Sequence, residues 1–168
     1  MSIGGQRNNY AFIDGINLHL SAKSLDWEID WASFREYLRK RHNVSDAYYF
    51  IGYLEKYQSL YDDLKDYGYT LVYKPVLTLP DGKIKGNCDA EIVLHAMINI
   101  NNYHKAVVIT GDGDIACLVE YLRSVDKFKL VIACRQDSCS HLLRKAASGN
   151  IMFIDYDRWK FEKQKGQL

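Results

Sequence analysis

The sequence predicts an α/β fold in which helices cover both faces of a central, mainly parallel β-sheet. Short apolar runs rich in β-branched and aromatic residues alternate with segments whose apolar residues recur at helical spacing. This alternation is typical of β-α-β units, whose parallel strands are joined by right-handed crossovers. Two of the apolar runs end in Asp-Gly, at Asp14 and Asp112, so carboxylates and flexible backbone are expected at the carboxyl ends of strands.

The strands are predicted from the apolar runs. Six such runs are interpreted as strands of the sheet: 10–13, 47–53, 70–74, 107–109, 129–133 and 151–154. Residues 76–85 differ, because two short extended pieces flank Pro80-Asp81-Gly82, which is a hairpin-turn signature. Asp81 is therefore interpreted as a turn residue, and it shows how readily Asp-Gly arises without any chemistry.

The helices are predicted from apolar residues three and four positions apart. One helix follows the strand 107–109 and places Ile115, Leu118, Val119 and Leu122 on one face. Four further helices are expected: one carrying Trp31, Phe34 and Leu38 after the cap Asp30, one carrying Leu60, Leu64 and Tyr67 before Gly68, one opening within 86–91 and aligning Val93, Ala96, Met97 and Ile100, and one over 138–147.

Length and composition limit the class of protein. The 168 residues are expected to form a single domain, 1–168, with a core from about 10 to 155 and a polar tail at 156–168. The formal net charge of +1 neither supports nor excludes a nucleic-acid partner. No apolar run approaches the roughly 18 residues of a membrane span, and the first residues lack a signal-peptide core. We therefore expect a cytoplasmic protein with no membrane partner.

Carboxylates gather at the predicted strand ends. Asp14 follows the first strand and Asp112 follows the strand 107–109, and in a doubly wound sheet these strands are neighbours where strand order reverses. Asp89 begins the helix that leads into the strand 107–109, and Asp114 begins the helix that leaves it. Three or four acids converge if the amino end of that crossover helix lies near the same crevice. A single Asp-Gly-Asp, by contrast, is explained equally well by helix capping.

Clustered carboxylates repel one another, and a bound cation is the usual resolution. Oxygen ligands without paired His or Cys favour Mg²⁺ or Mn²⁺ over zinc. Such a metal lowers the pKa of a bound water and neutralises charge on a phosphodiester during displacement. The chemistry that this arrangement fits is hydrolysis of a nucleic-acid backbone.

Three segments contain these residues: Phe-Ile-Asp14-Gly-Ile-Asn17-Leu, Lys85-Gly-Asn-Cys-Asp89 and Ile-Thr110-Gly-Asp112-Gly-Asp114-Ile. In order and spacing they resemble the signature segments of the NYN domain family, also called LabA-like or DUF88, within the PIN-like nuclease superfamily. The resemblance extends from about residue 10 to residue 155. It implies a Rossmann-like three-layer sandwich of the PIN type, a divalent metal held by acidic residues, and cleavage of RNA.

The resemblance also implies roles for individual residues. Asp14 and Asp112 would bind the metal directly, and Asp89 and Asp114 would complete the site directly or through water. These four carboxylates are the candidate catalytic and metal-binding residues. The family segment around Asp89 commonly continues into a second carboxylate, for which Glu91 is a partial substitute here.

Supporting residues lie in the same segments. Asn17 and Thr110 would orient the ligands or the attacking water through hydrogen bonds. Lys85 is a candidate phosphate-binding residue, as are three residues at predicted strand or hairpin ends, Lys74, Lys83 and Arg135.

Two other classes of function remain open. One is a non-catalytic RNA-binding or regulatory module that keeps the fold. The other is a phosphatase or phospho-receiver domain of similar topology, although a haloacid-dehalogenase enzyme would need Asp-x-Asp after its first strand and Asp14-Gly-Ile-Asn lacks the second acid. The sequence decides neither between RNA and DNA nor the oligomeric state, and a homodimer is compatible with it.

Overall fold

The computed structural model describes residues 8–82 and 84–164, apart from the side chains of Ile84 and Lys85. Within these residues six strands form one sheet, and two short strands form a separate antiparallel hairpin. The strands of the sheet are β1 Asn9–Asp14, β2 Val44–Gly52, β3 Tyr69–Lys74, β6 Ala106–Ile109, β7 Phe128–Ala133 and β8 Ile151–Phe153, and those of the hairpin are β4 Leu77–Thr78 and β5 Ile84–Lys85.

The strand order across the sheet is β3-β2-β1-β6-β7-β8, and all neighbouring strands are parallel. The order reverses between β1 and β6, which pair from Tyr10–Ala106 to Ile13–Ile109. The predicted α/β class, with a mainly parallel sheet, is therefore confirmed. The strands that end at Asp14 and before Asp112 are direct neighbours, as the sequence predicts.

Helices cover both faces of this sheet, because successive strand residues such as Phe12 and Ile13 point to opposite sides. The helices of the described chain are α1 Gly15–Lys23, α2 Trp31–His42, α3 Gln58–Asp66, α4 Asp89–Ile98, α5 Ala116–Ser124, α6 His141–Ala147 and α7 Arg158–Phe161. Ile13 belongs to a buried cluster with residues of α1, α2, α3 and α7. Phe12 belongs to a second cluster with residues of α4, α5 and α6. The result is a three-layer arrangement.

Two local features differ from the prediction. Helix α1 follows β1 directly and had not been anticipated, because its apolar Ile16, Leu18 and Leu20 alternate rather than recur at helical spacing. In α3 the buried aromatic residue is Tyr61, whereas Tyr67 is 43% exposed because the helix ends at Asp66. Gly68 does follow the end of α3, with a φ of +91°.

The prediction of a polar tail over residues 156–168 is wrong for part of that segment. Residues 158–161 form α7, and Phe161 is buried, with its ring centroid 5.5 Å from that of Phe34 and 4.9 Å from that of Tyr37. The backbone N–H of Asp30 also donates to the carbonyl of Phe161 at 2.7 Å, so this segment is held by both packing and hydrogen bonding. Residues 165–168 of the predicted tail lie outside the described chain.

Candidate metal centre

The pairing of β1 with β6 brings the residues after both strands to the same edge of the sheet. Asp14 is the last residue of β1 and caps α1, and Thr110 to Asp112 follow β6. The amino end of α4 begins at Asp89, and this helix contacts both β1 and the 3₁₀ turn Gly113–Ile115. Helix α4, which leads into β6, therefore starts at the crevice between β1 and β6. Its first residue, Asp89, lies close to Asp112 and Asp114.

Three carboxylates meet at this point. Asp89, Asp112 and Asp114 each offer one oxygen, and these oxygens all lie within 4.8 Å of one another. Asp89 and Asp112 are half-buried, whereas Asp114 is exposed. Hard oxygen ligands at this spacing fit the binding of a single divalent cation.

Asp112 also has the capping role that its residue type favours. Its Oδ1 accepts a hydrogen bond from the backbone N–H of Asp114 at 3.0 Å, at the start of the 3₁₀ turn that leads into α5. This bond occupies one lone pair of one oxygen and leaves the rest of the carboxylate free to bind a cation. Capping and metal binding are therefore compatible at Asp112.

Asp89 is held by Asn87. The side-chain Nδ2 of Asn87 donates to Asp89 Oδ2 at 2.6 Å, and its Oδ1 accepts from the backbone N–H of Asp89 at 2.7 Å. Burial raises the pKa of Asp89, the hydrogen bond from Asn87 lowers it, and repulsion from Asp112 and Asp114 raises it again. The positive charge of Lys74 also lowers the pKa, but burial is the largest cause and the net shift is upward.

Asp14 lies beside this trio rather than within it. Its Oδ1 accepts from the backbone N–H of Asn17 at 3.0 Å, and its Oδ2 accepts from the buried Thr110 hydroxyl at 3.2 Å. Burial is the main cause that raises the pKa of Asp14, and repulsion from Asp89 and Asp112 adds to it. Asp14 thus interacts electrostatically with two of the trio, and its role as a direct metal ligand stays a prediction.

Asn17 and Thr110 tie the two strand ends together. Asn17 Oδ1 accepts a hydrogen bond from the backbone N–H of Gly111 at 2.9 Å, and Thr110 Oγ1 accepts one from the backbone N–H of Asp112 at 3.1 Å. Both side chains therefore orient the backbone that carries Asp112. Their role in orienting the metal ligands or the attacking water stays a prediction.

The lysine and glutamate candidates occupy different places. Lys74 Nζ lies 3.1 Å from Glu91 Oε2 and donates to the backbone carbonyl of Asn87 at 2.6 Å. Glu91 is therefore paired with Lys74 and is not among the three clustered carboxylates. The side chain of Lys85 lies outside the described part, and its backbone pairs with Leu77 in the hairpin.

Sequence reasoning missed Asn87. A usable signal was present, because Asn two residues before Asp89, at a helix start, is a common pattern for local side-chain hydrogen bonding to the backbone. The described residues also enclose a cavity of about 650 Å³, lined in part by Asp14, Asn87 and Asp112. The carboxylates thus border an open space large enough for a ligand.

A parallel α/β sheet with a carboxylate cluster at the reversal of strand order defines a Rossmann-like protein whose acidic site fits a divalent metal. The chain belongs to the NYN domain family, whose model matches residues 10–155. This match confirms the predicted family membership. The NYN family is a family of PIN-like nucleases.

The chain is also similar to individual proteins. The chain is 27% identical over 123 residues to the low amplitude and bright protein LabA of Synechococcus elongatus, a match covering 67% of this chain and 66% of LabA. It is 30% identical over 129 residues to a protein of Brachyspira hyodysenteriae named ATP-dependent dethiobiotin synthetase BioD, covering 74% of this chain and 57% of the relative. The chain thus spans less than two thirds of either relative.

A solved structure has the same fold. The crystal structure of a protein of unknown function from Vibrio parahaemolyticus superposes with a TM-score of 0.81 at 22% identity, covering 97% of this chain and 100% of that one. Among the described helices, none is both long and apolar enough to cross a membrane.

Proposed function

We propose that this protein is a divalent-metal-dependent endoribonuclease that hydrolyses RNA phosphodiesters, with Mg²⁺ or Mn²⁺ as its cofactor. The observation that carries the proposal is the approach of Asp89, Asp112 and Asp114 to within 4.8 Å at the reversal of strand order. Membership of a nuclease family supports the same reading.

Each carboxylate has a part in the proposal. Asp89, Asp112 and Asp114 hold the cation, which when bound supplies charge neutralisation and a lowered pKa of water. Asp14, which borders the same cavity, would be the fourth carboxylate of the metal site. Its two hydrogen bonds, from Asn17 and Thr110, fix the direction in which its free lone pairs point.

The substrate assignment rests on charge and family. A cluster of acids attracts a phosphodiester only when a cation offsets its charge, so substrate binding and metal binding are expected to depend on each other. Lys85 is the proposed phosphate-binding residue of this chain. The ATP-dependent activity in the name of the Brachyspira relative is not carried over, because the chain contains no G-x-x-x-x-G-K-[ST] phosphate loop.

The proposal is tested by incubating labelled single-stranded and hairpin RNA with the protein in Mn²⁺ or Mg²⁺, with a chelator control. Asp112→Asn removes one clustered charge and keeps a residue that caps as well as Asp. Asp81→Asn is the matched control, since Asp81 is also followed by glycine but lies in the exposed hairpin turn.

We expect metal-dependent cutting by the wild type and by Asp81→Asn, and a loss of about 100-fold or more in Asp112→Asn. If RNA binds equally to all three proteins and none of them cuts it, the nuclease proposal is wrong and the protein is an RNA-binding module. Hydrolysis of small phosphoesters without any cutting of RNA would instead favour a phosphatase.

A further inference from the structure

The cavity beside the carboxylates has two chemically different ends. Asp14 and Asp112 line it where β1 and β6 end, and Leu54, Tyr57 and Leu60 line it on the segment from the end of β2 into α3. Because β2 and β6 lie on opposite sides of β1, this apolar segment borders the cavity from the side away from Asp112. Its volume of about 650 Å³ lies within the range of sites for small organic ligands. A ligand that fills it must therefore combine a group that belongs at the acidic site with a flat or apolar group next to it.

Close packing builds the walls of this cavity. Val76, on the connection between β3 and β4, lies against Gly52 and Gly86, and a Cβ on Gly86 would lie 2.8 Å from Val76 Cγ1. A Cβ on Gly52 would be closer still. Three positions far apart in the sequence thus hold the arm that carries the hairpin against the end of β2. These contacts fix the wall of the cavity that Val76, Gly52 and Gly86 line.

Tyr57 is the exposed tyrosine of the cavity lining, which also includes the buried Tyr49. It lies just before α3, is 43% exposed, and has the Nζ of Lys56 5.0 Å from its ring centroid. An accessible aromatic face next to a cation suits a stacked nucleobase with its adjoining phosphate. The exposed His19, which also lines the cavity, offers ring nitrogens to the edge of a base.

We propose that this cavity receives one unpaired nucleobase of the strand whose backbone lies at the carboxylates, with the base stacked on Tyr57. The inference rests on the proposed function, because it needs a phosphodiester at the acidic end. A nucleotide links its phosphate to its own base through one sugar, so a backbone held at Asp112 brings an adjacent base to the apolar end. A base in a duplex enters only by leaving its stack, and the site therefore selects single-stranded nucleic acid.

The cleavage test uses single-stranded RNA in which one abasic position is moved along the strand. We expect one abasic position next to the cut to lower the cleavage rate of the wild type about tenfold. Tyr57→Ala should show the same loss on intact RNA and no further loss at that position. Tyr67→Ala is the matched control, since Tyr67 is also 43% exposed but lies at the other end of α3, and it should behave as the wild type.

A binding test keeps this inference separate from the nuclease proposal. It uses the wild-type protein in Ca²⁺, which leaves all the carboxylates in place, with RNA carrying 2-aminopurine at successive positions. We expect the 2-aminopurine fluorescence to be quenched at one position. If the Tyr57→Ala substitution abolishes this quenching and Tyr67→Ala does not, the base-binding proposal is supported even if the wild type cuts nothing. Suppose that the protein cuts RNA in a metal-dependent way, that the cleavage rate is the same wherever the abasic position lies, and that no position shows quenching. The base-binding proposal would then be wrong, and the nuclease proposal would stand.

Discussion

The buried hydroxyl of Thr110 donates a hydrogen bond to Oδ2 of Asp14 across the junction of β6 and β1, over 3.2 Å. The hydroxyl oxygen of Thr110, Oγ1, in turn accepts a hydrogen bond from the backbone N–H of Asp112 at 3.1 Å. One side chain thus fixes both a carboxylate at the end of β1 and the backbone that carries a member of the acidic trio. Its replacement should disturb both strand ends together.

We predict that Thr110→Val destabilises the protein by about 1–3 kcal/mol, because the isosteric methyl leaves a backbone N–H and a carboxylate oxygen without their partner. Metal-dependent cleavage should fall as well. Urea unfolding and the cleavage assay measure the two effects, and Thr110→Ser, which keeps the hydroxyl, should restore most of both. A Thr110→Val protein with wild-type stability and activity would show that the hydroxyl positions nothing.

Two neighbouring acids on α4 offer a matched test of the metal centre. Asp89 belongs to the trio, whereas Glu91 is paired with Lys74 at 3.1 Å. We predict that Asp89→Asn weakens Mn²⁺ binding by about tenfold or more, and that Glu91→Gln changes it by less than about twofold. Calorimetric titration measures both. Equal weakening by the two substitutions would place Glu91 in the metal centre after all.

Removal of the metal should make the acidic trio a source of instability. Without a cation, Asp89, Asp112 and Asp114 repel one another, and Asp112→Asn relieves part of this repulsion while keeping a good cap. In chelator near neutral pH we therefore predict that Asp112→Asn unfolds at a higher temperature than the wild type.

With excess Mn²⁺ the order of the two proteins should invert, since a ligand at 100 times its Kd stabilises the protein that binds it by about 2.7 kcal/mol. Thermal unfolding of both proteins, with and without Mn²⁺, gives all four values. A wild type whose unfolding temperature ignores Mn²⁺ would remove the basis for a metal at this site.

The parts of the site that the sequence predicted depend on local patterns. Asp14 and Asp112 could be placed at the same sheet edge because each follows a buried run, and because the first and fourth sheet strands of a doubly wound sheet are neighbours where strand order reverses. The start of α4 at Asp89 followed from helical periodicity. These patterns could not give the distances between the side chains. Asp14 lies to one side of the trio because its carboxylate is hydrogen-bonded to Asn17 and Thr110.

Other features depend on residues distant in sequence. The pairing of Glu91 with Lys74 requires β3 to lie beside the start of α4, and the cavity requires Val76 to pack between Gly52 and Gly86. No periodicity records such contacts. Helix α7 was missed for a related reason, since only the fold shows that Phe161 reaches Phe34.

His42 gives the fold a pH dependence that is independent of the acidic site. It lies in the last turn of α2, half-buried, with Nε2 3.3 Å from the hydroxyl oxygen of Tyr37. Burial lowers the pKa of His42 from 6.5 to about 4, and repulsion from Lys129 and Arg41 adds to the shift. Between these two values the unfolded chain binds more protons at this residue than the folded protein does, so the contribution of His42 to stability falls as the pH drops.

We therefore predict that the wild type loses more stability than His42→Phe when the pH is lowered from 7.5 to 5.0, because phenylalanine keeps a ring beside Tyr37 and has no proton to bind. Asp14 and Asp89, whose pKa values are raised, act in the opposite direction as the pH falls, but they are present in both proteins and cancel in the comparison. Thermal unfolding of each protein at both pH values, in chelator and at constant ionic strength, supplies the difference. Equal losses in the two proteins would mean that His42 takes up its proton in the folded state as readily as in the unfolded chain, which its burial argues against.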